Sequence, residues 1–158
     1  MKKGLKRIII VTILGLCGLL LFYIFFGQGY VYAKKYANRL LEYKLPEKTE
    51  VIEQDFSYGV LFGGGPRGSG GYPTLVTYQK ISTRLSEKEI FEHYNTNDFE
   101  IYFEGTEELK KNSYNKIWYE GYMKSEDVLS SEENNEEPIE VIIQYRTEFS
   151  YPFFIDLY

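Results

Sequence analysis

Hydrophobic residues are unevenly distributed along this chain, and the first long stretch of them is unbroken. It covers residues 8–26, with Thr12 as the one polar residue deep inside it. Nineteen residues of α-helix rise about 28 Å, close to the roughly 30 Å hydrocarbon thickness of a bilayer. The pattern predicts a transmembrane helix over 8–26, preceded by a basic tip over 1–7.

The charges around this helix predict its orientation. No acidic residue occurs before Glu42, whereas four basic residues precede the helix, namely Lys2, Lys3, Lys6 and Arg7. Basic flanks of a transmembrane helix stay in the cytoplasm. We therefore expect a single-pass protein of the cell membrane, with a cytoplasmic N-terminus and the remaining chain outside.

Cleavage after Ala33 is the alternative, because Val31-Tyr32-Ala33 has the small-x-small pattern of a signal peptidase site, and it would release a secreted domain. However, the apolar run exceeds the roughly 7–15 residues of a signal peptide core. The aromatic residues at its exit also suit a membrane interface, so retention is favoured. Cys17 lies in mid-run rather than at the outer end, which does not fit a lipoprotein.

The next segment, 27–45, predicts a hinge followed by an amphipathic helix. Gly27-Gln28-Gly29 is expected to break the transmembrane helix, and Pro46 is expected to end the amphipathic one. The apolar positions recur at helical spacing: Ala33, Tyr36, Ala37, Leu40, Leu41 and Leu45. This stripe needs a partner, so we expect the helix to dock on the domain or to lie along the membrane.

Residues 46–158 form the predicted extracytoplasmic domain, and alternation with a period of two predicts most of its elements. The clearest case is 139–149, where the odd positions favour one buried face and the even positions are polar, with Ile142 as the exception. The predicted strands are 51–62, 74–81, 99–103, 117–122, 139–149 and, after Pro152, an edge strand over 153–158.

One helix with a clear start signal is predicted over 85–95. Ser86 and Glu89 have the spacing of a capping box, and Leu85 with Ile90 forms a hydrophobic staple. The whole pattern predicts an α+β fold, in which an N-terminal transmembrane helix precedes one antiparallel sheet of five or six strands packed by one or two helices.

Composition limits the possible functions of the outer part. All 23 acidic residues but only 14 of the 18 basic residues follow Gly27, which gives this part a formal charge of −9. Such a domain should repel nucleic acid. It contains no cysteine, so its stability must come from its core rather than from disulfides.

Catalytic machinery is not evident in the sequence, and we predict no catalytic residue and no cofactor. His93 is the single histidine, which leaves no zinc site of the usual Cys/His type. Glu89 and His93 are one helical turn apart and are the only candidate metal ligands that share a face. A hydrolase or metal-dependent enzyme of the cell envelope that uses these two residues is the alternative to a non-enzymatic domain.

Two polar segments suggest ligands, although a simpler structural reading is favoured for each. The glycine-rich segment 63–71 contains Arg67, a possible anion contact, but it lacks the ending and the following helix of a phosphate-binding loop. A hairpin connection is the favoured interpretation. The acidic segment 132–137 lacks the ligand spacing of a calcium loop and is interpreted as a solvated loop.

Aromatic residues provide the preferred binding hypothesis. Trp118, Tyr119 and Tyr122 are the candidate platform for sugar rings or a peptide strand, although a lone tryptophan on a sheet more often belongs to the core. The leading functional hypothesis is therefore a membrane-anchored, non-enzymatic domain that binds a protein, a peptide or another envelope component. A third hypothesis is an immunity or inhibitor protein whose acidic face blocks a basic partner.

Three short motifs resemble those of small membrane-anchored proteins of low-GC Gram-positive bacteria. They are Leu45-Pro46-Glu47-Lys48-Thr49-Glu50-Val51-Ile52, Tyr58-Gly59-Val60-Leu61, and the helix that begins Leu85-Ser86-Glu87 and reaches Tyr94. The resemblance covers residues 1–104 and departs at 63–71, where a shorter turn is expected. It implies the topology and the location, and it supplies no activity.

Overall fold

The computed structural model describes residues 3–59, 74–95, 98–111, 116–134 and 137–149. These ranges contain three α-helices and six β-strands, and the α+β class is confirmed. The predicted strand 153–158 and the glycine-rich segment 63–71 lie outside the described residues. The elements are α1 (Lys3–Phe22), α2 (Gln28–Leu41), β1 (Thr49–Gly59), β2 (Thr74–Thr83), α3 (Glu87–Tyr94), β3 (Glu100–Phe103), β4 (Glu107–Lys111), β5 (Ile117–Gly121) and β6 (Ile139–Glu148).

The two N-terminal helices form one continuous helix. A π-helical turn, Tyr23–Gly27, joins α1 to α2, and Gly27 has ordinary helical torsions (φ −94°, ψ −40°). The predicted break at Gly27-Gln28-Gly29 is therefore not observed, since each glycine costs a helix only about 1 kcal/mol. The stretch Gly4–Leu41 is long and apolar enough to cross a membrane by length and composition.

Helix α2 packs on the sheet through its small residues. Ala33, Ala37 and Leu40 are fully buried, and the two alanines let the helix backbone approach β2 closely. The helix ends at Leu41, well before Pro46, and Tyr43 then packs its ring 5.5 Å from that of Tyr94. The proline therefore does not mark the end of the helix, contrary to the prediction.

The main sheet has four antiparallel strands in the order β1-β2-β6-β3. Its register defines two ends that are used below. At the near end Thr74 pairs with both Gly59 and Glu148, and at the far end Thr83 pairs with both Thr49 and Ile139. Ten residues of strand separate the ends by about 30 Å. The glycine at the near end is needed, because Gly59 has a φ of +116°.

Helix α3 begins with the predicted capping box, which is confirmed. The backbone N–H of Glu89 donates to Ser86 Oγ at 3.3 Å, and the Glu89 carboxylate accepts the Ser86 N–H at 2.8 Å. This second hydrogen bond lowers the pKa of Glu89, since it stabilises the charged form. Ile90 and Tyr94 then bury their side chains against the sheet.

The two faces of the sheet are covered by different elements. On one face, α2 and α3 enclose the apolar core with Ile101, Phe103, Val141 and Ile143. On the other face lies a second sheet, the β4–β5 hairpin, over a smaller cluster of Tyr78, Tyr102, Tyr119 and Ile142. The apolar exception in the alternation of β6, Ile142, is thus a core residue of the second face.

Candidate binding surface on the hairpin

The hairpin is held on the main sheet by one buried amide side chain. Gln144 Oε1 accepts the Tyr119 N–H at 2.8 Å, and Gln144 Nε2 donates to the Tyr119 carbonyl at 2.9 Å. Gln144 is fully buried, and the rings of Tyr119 and Tyr78 meet edge to face with centroids 5.1 Å apart. The amide replaces the neighbouring strand that β5 lacks on this side, so the register of the hairpin over the sheet is fixed.

A carboxylate network supports Gln144 from β3. The carboxylate of Glu100 accepts hydrogen bonds from Gln144 Nε2 at 2.6 Å, from Arg146 Nε at 2.7 Å and from Tyr102 Oη at 3.0 Å. Such charge-assisted bonds are about twice as strong as neutral ones. These polar groups are occupied with one another, so their role is to position the hairpin.

Strand alternation directs the aromatic residues of β5 to opposite sides. Tyr119 points into the sheet and is 9% exposed, whereas Trp118 and Glu120 lie on the outer side of the hairpin. Trp118 Nε1 donates to Glu120 Oε1 at 2.8 Å. Lys110 is the cross-strand neighbour of Trp118 and pairs with Glu108 at 2.7 Å. The outer side therefore combines an aromatic ring with carboxylates.

Exposed apolar side chains also occur in the segment that follows β5. Tyr122, Met123 and Val128 are 65%, 57% and 63% exposed. Outside the N-terminal helices, the only other large apolar side chains exposed in the described ranges are Ile52 and Leu109. We call Trp118, Glu120, Tyr122 and Met123 the hairpin outer surface. A concentration of exposed apolar groups is typical of an interaction site.

The structure separates the predicted aromatic platform. Trp118 lies on the outer side, Tyr119 is buried underneath, and Tyr122 is exposed just after the end of β5, while Arg67 lies outside the described residues. Met123 and Glu120 were not identified from the sequence. The alternation of 118 and 120 against 117 and 119 indicates two sides for β5, but which side is covered depends on the main sheet, and Met123 lies beyond the strand.

The two candidate metal ligands on α3 have other partners. The carboxylate of Glu89 accepts both the N–H and the hydroxyl of Ser86. His93 Nε2 donates a hydrogen bond to the Lys44 carbonyl oxygen at 2.7 Å, and its ring stands edge-on to that of Tyr94. Among the residues that the structure describes, no three potential ligands form a group that could hold a metal ion.

Burial perturbs the acidity of the tyrosines beneath the hairpin. Desolvation, reinforced by a hydrogen bond from its hydroxyl to Glu53 at 2.6 Å, raises the pKa of Tyr78. Desolvation also raises the pKa of Tyr102 to about 12, and the charge of Glu100 acts in the same direction. Both hydroxyls therefore stay protonated at neutral pH, which suits a structural rather than an acid–base role.

Concave surfaces in the described residues do not offer a better site. A groove of about 530 Å³ at the far end is lined by polar residues of β1 and β2 and the chain beside them, and Lys48 at its rim pairs with Glu133 at 3.1 Å. A smaller one of about 300 Å³ lies at the near end, beside Thr74 and Arg146. Neither combines an apolar wall with converging polar groups, as ligand pockets do.

Comparison of the chain with models of known protein families, with curated proteins and with solved structures gives no match. The resemblance to membrane-anchored proteins of Gram-positive bacteria therefore stays a prediction. The surface of the domain and the long N-terminal helix are therefore the features that bear on function.

Proposed function

We propose that this protein is a single-pass membrane protein whose extracytoplasmic domain binds a cationic protein or peptide through the hairpin outer surface. The observation that carries the proposal is the exposure of Tyr122 and Met123 beside the outward-facing Trp118. The basic N-terminal tip supports a cytoplasmic N-terminus by the positive-inside rule.

The charge around the surface argues for a basic partner. Glu120, Glu126 and Asp127 are all exposed and lie close in sequence to the exposed aromatic side chains. The formal charge of −9 on the outer part would steer cations to the domain. Arginine and lysine also stack favourably on tryptophan and tyrosine rings, so one basic segment would satisfy both features. The proposal thus joins the binding hypothesis to the acidic inhibitor hypothesis.

The helical structure around Ala33 supports retention of the anchor. Ala33 is fully buried against the sheet in the middle of α2, and Tyr30 packs against β1. Cleavage after Ala33 would remove this part of the packed helix from the domain. A secreted form is therefore the less favoured alternative.

An envelope enzyme that uses Glu89 and His93 remains an alternative of a different class. Its weakness is that both side chains already hold structural hydrogen bonds. If it is correct, His93→Ala should abolish a measurable turnover while leaving the fold intact. If the binding proposal is correct, His93→Ala should leave partner binding unchanged.

Site-specific photo-crosslinking in the native membrane tests the proposal. Benzoylphenylalanine is placed at Tyr122 or, as the matched control, at Ile52, which is exposed on the edge strand β1. We expect position 122 to crosslink one basic protein or peptide and position 52 not to. After purification of that partner, Trp118→Ala should weaken its binding about thirtyfold, as for an interface hot spot, and Ile52→Ala should not.

Two results would contradict this proposal. One is crosslinking only to polysaccharide or to nothing at position 122. The other is binding of the purified partner that is equally strong for Trp118→Ala and for Ile52→Ala. Binding that does not weaken between low and high salt would also remove the electrostatic part of the argument.

A further inference from the structure

The near end of the sheet lies beside the helix segment that leaves the membrane. The ring centroid of Tyr30 lies 5.8 Å from that of Phe56 and 6.2 Å from that of Tyr58, and both partners lie at the near end of β1. Tyr30 comes four residues after Phe26, where the apolar run stops, which is a rise of about 6 Å. A headgroup layer is roughly 5–7 Å thick. The near end is therefore at the depth of the lipid headgroups.

The continuous helix holds the near end at a fixed distance from the apolar run. Because α1 and α2 form one helix through the turn Tyr23–Gly27, no flexible linker separates the membrane from the domain. Tyr30 and Val31 are about half exposed on this helix, as expected for side chains of a membrane interface.

Basic residues collect at this end of the domain. Lys34 and Lys35 are exposed on α2, and helical side chains lean toward the helix N-terminus, which here is the membrane. Lys111 ends β4 opposite Ile117, and Lys116 Nζ lies 5.4 Å from the ring centroid of Tyr58. Among the described residues at this end, Glu148 on β6 is acidic.

The far end has the opposite charge. The described residues that surround Thr49, Thr83 and Ile139 include the cations Lys48, Lys80 and Arg84, of which Lys80 pairs with Glu140 at 2.6 Å, and twice as many exposed carboxylates. These are Glu47, Glu50, Glu132, Glu133, Glu137 and Glu140. Among the described residues, exposed carboxylates thus gather at the far end, whereas exposed lysines stand out at the near end.

We infer that the near end is a lipid-contacting surface, on which Lys34, Lys35 and Lys111 bind anionic headgroups while Tyr30 and Val31 enter the interface. The inference rests on the anchor in the proposed function and is independent of the hairpin outer surface. Lysine near an anionic membrane contributes about fivefold to association, so three lysines contribute about a hundredfold. The acidic far end is repelled by the same lipids and is held away from them.

Lipid-headgroup quenching in vesicles tests the inference with the full chain. Cys17→Ala provides a cysteine-free background, and Glu148→Cys or Glu140→Cys provides one labelling site at the near or the far end of the same strand. The two positions are eight residues apart, carry the same residue type and are both exposed. The labelled protein is placed in phosphatidylcholine vesicles with or without phosphatidylglycerol, together with a headgroup-linked quencher.

We expect strong quenching at position 148 that increases with phosphatidylglycerol, and little quenching at position 140. Lys34→Gln, Lys35→Gln and Lys111→Gln together should remove the dependence on phosphatidylglycerol. The matched control changes Lys44, Lys48 and Lys88 to glutamine, loses the same charge elsewhere and should retain that dependence.

An alkaline wash separates failure of this inference from failure of the anchor. If the protein stays in the vesicles but position 148 is not quenched, or is quenched equally without phosphatidylglycerol, the lipid contact is refuted and the anchor stands. If the wash extracts the protein, the anchor is refuted, and the lipid contact is refuted with it.

Discussion

The two faces of the main sheet are covered by different kinds of contact. Strand β6 contributes to both faces, since Ile143 faces the helices and Ile142 faces the hairpin. The helix face is a continuous apolar core. The hairpin face contains Gln144 and Glu100, whose hydrogen bonds hold a two-stranded sheet that has few apolar residues of its own. A face that alternation marks as polar can therefore still be covered.

This difference predicts unequal stability within one domain. Apolar packing on the helix face scales with the area removed from water. On the hairpin face a typical net contribution is only about 1 kcal/mol for each hydrogen bond. We therefore expect the hairpin to open locally before the helices separate from the sheet, as low-stability elements do.

The largest expected effect comes from truncating the two adjacent isoleucines of β6. Ile143→Ala should cost about 4 kcal/mol and Ile142→Ala about 2 kcal/mol, the upper and lower parts of the range for buried isoleucine. The reason is that the thin hairpin can relax around the cavity more easily than the packed helices. Denaturant unfolding of the full chain in detergent measures both values. A larger cost for Ile142→Ala would reverse our ranking of the two faces.

Neutralising the half-buried carboxylate of the hairpin face, Glu100, should have the next largest effect. Glu100→Gln weakens three hydrogen bonds, including the pair with Arg146, and should cost about 1–3 kcal/mol. Glu108→Gln is the matched control, because Glu108 is 71% exposed in its pair with Lys110. Its cost should stay below about 0.5 kcal/mol. Equal costs in the same unfolding assay would show that the network does not support the hairpin.

Removal of one tyrosine hydroxyl from each face should have a smaller effect. Tyr102→Phe removes a hydrogen bond to Glu100 and should cost about 1 kcal/mol. Tyr94→Phe should be neutral or slightly stabilising, because the buried Tyr94 hydroxyl has no hydrogen-bond partner among the described residues. Thermal unfolding of the two variants measures the difference. A destabilised Tyr94→Phe would indicate a partner, such as a buried water.

The last prediction concerns the stability of the fold at alkaline pH, where the buried tyrosines of both faces ionise. Burial raises the pKa of Tyr94, on the helix face, and of Tyr102, on the hairpin face, to about 12. An unfolded tyrosine ionises near pH 10. A raised pKa in the folded state means that stability is complete below pH 10 and falls between about pH 10 and 12. Absorbance of tyrosinate at pH 9–12 should therefore rise together with unfolding. Ionisation of all tyrosines near pH 10 in the folded protein would contradict this burial.

The sequence predicted correctly those elements that are specified by interactions between residues close together in the chain. Ser86 and Glu89 specify the start of α3 by hydrogen bonds within four residues, and this prediction is confirmed. The alternation of β6 predicted its buried face correctly, because Val141, Ile143 and Tyr145 lie in the main core. The α+β class followed from these patterns.

Elements that depend on tertiary packing were not predicted. Strand β4 has the sequence Glu-Glu-Leu-Lys-Lys, which has low strand propensity, and it forms because β5 pairs with it. Gly121 contributes to this pairing, since a Cβ atom there would lie 2.0 Å from the Thr106 carbonyl oxygen. The inward direction of Tyr119 depends equally on which side of β5 the sheet covers. No pattern within the β4 or β5 segments contains that information.

The continuous helix also fixes the orientation of the domain about the helix axis. Each helical residue turns the chain by about 100°. Insertion of one residue between α1 and α2 would therefore turn the hairpin outer surface about a quarter of a circle around the axis of α1. The direction in which the domain faces relative to α1 is thus set by the number of residues in the turn Tyr23–Gly27.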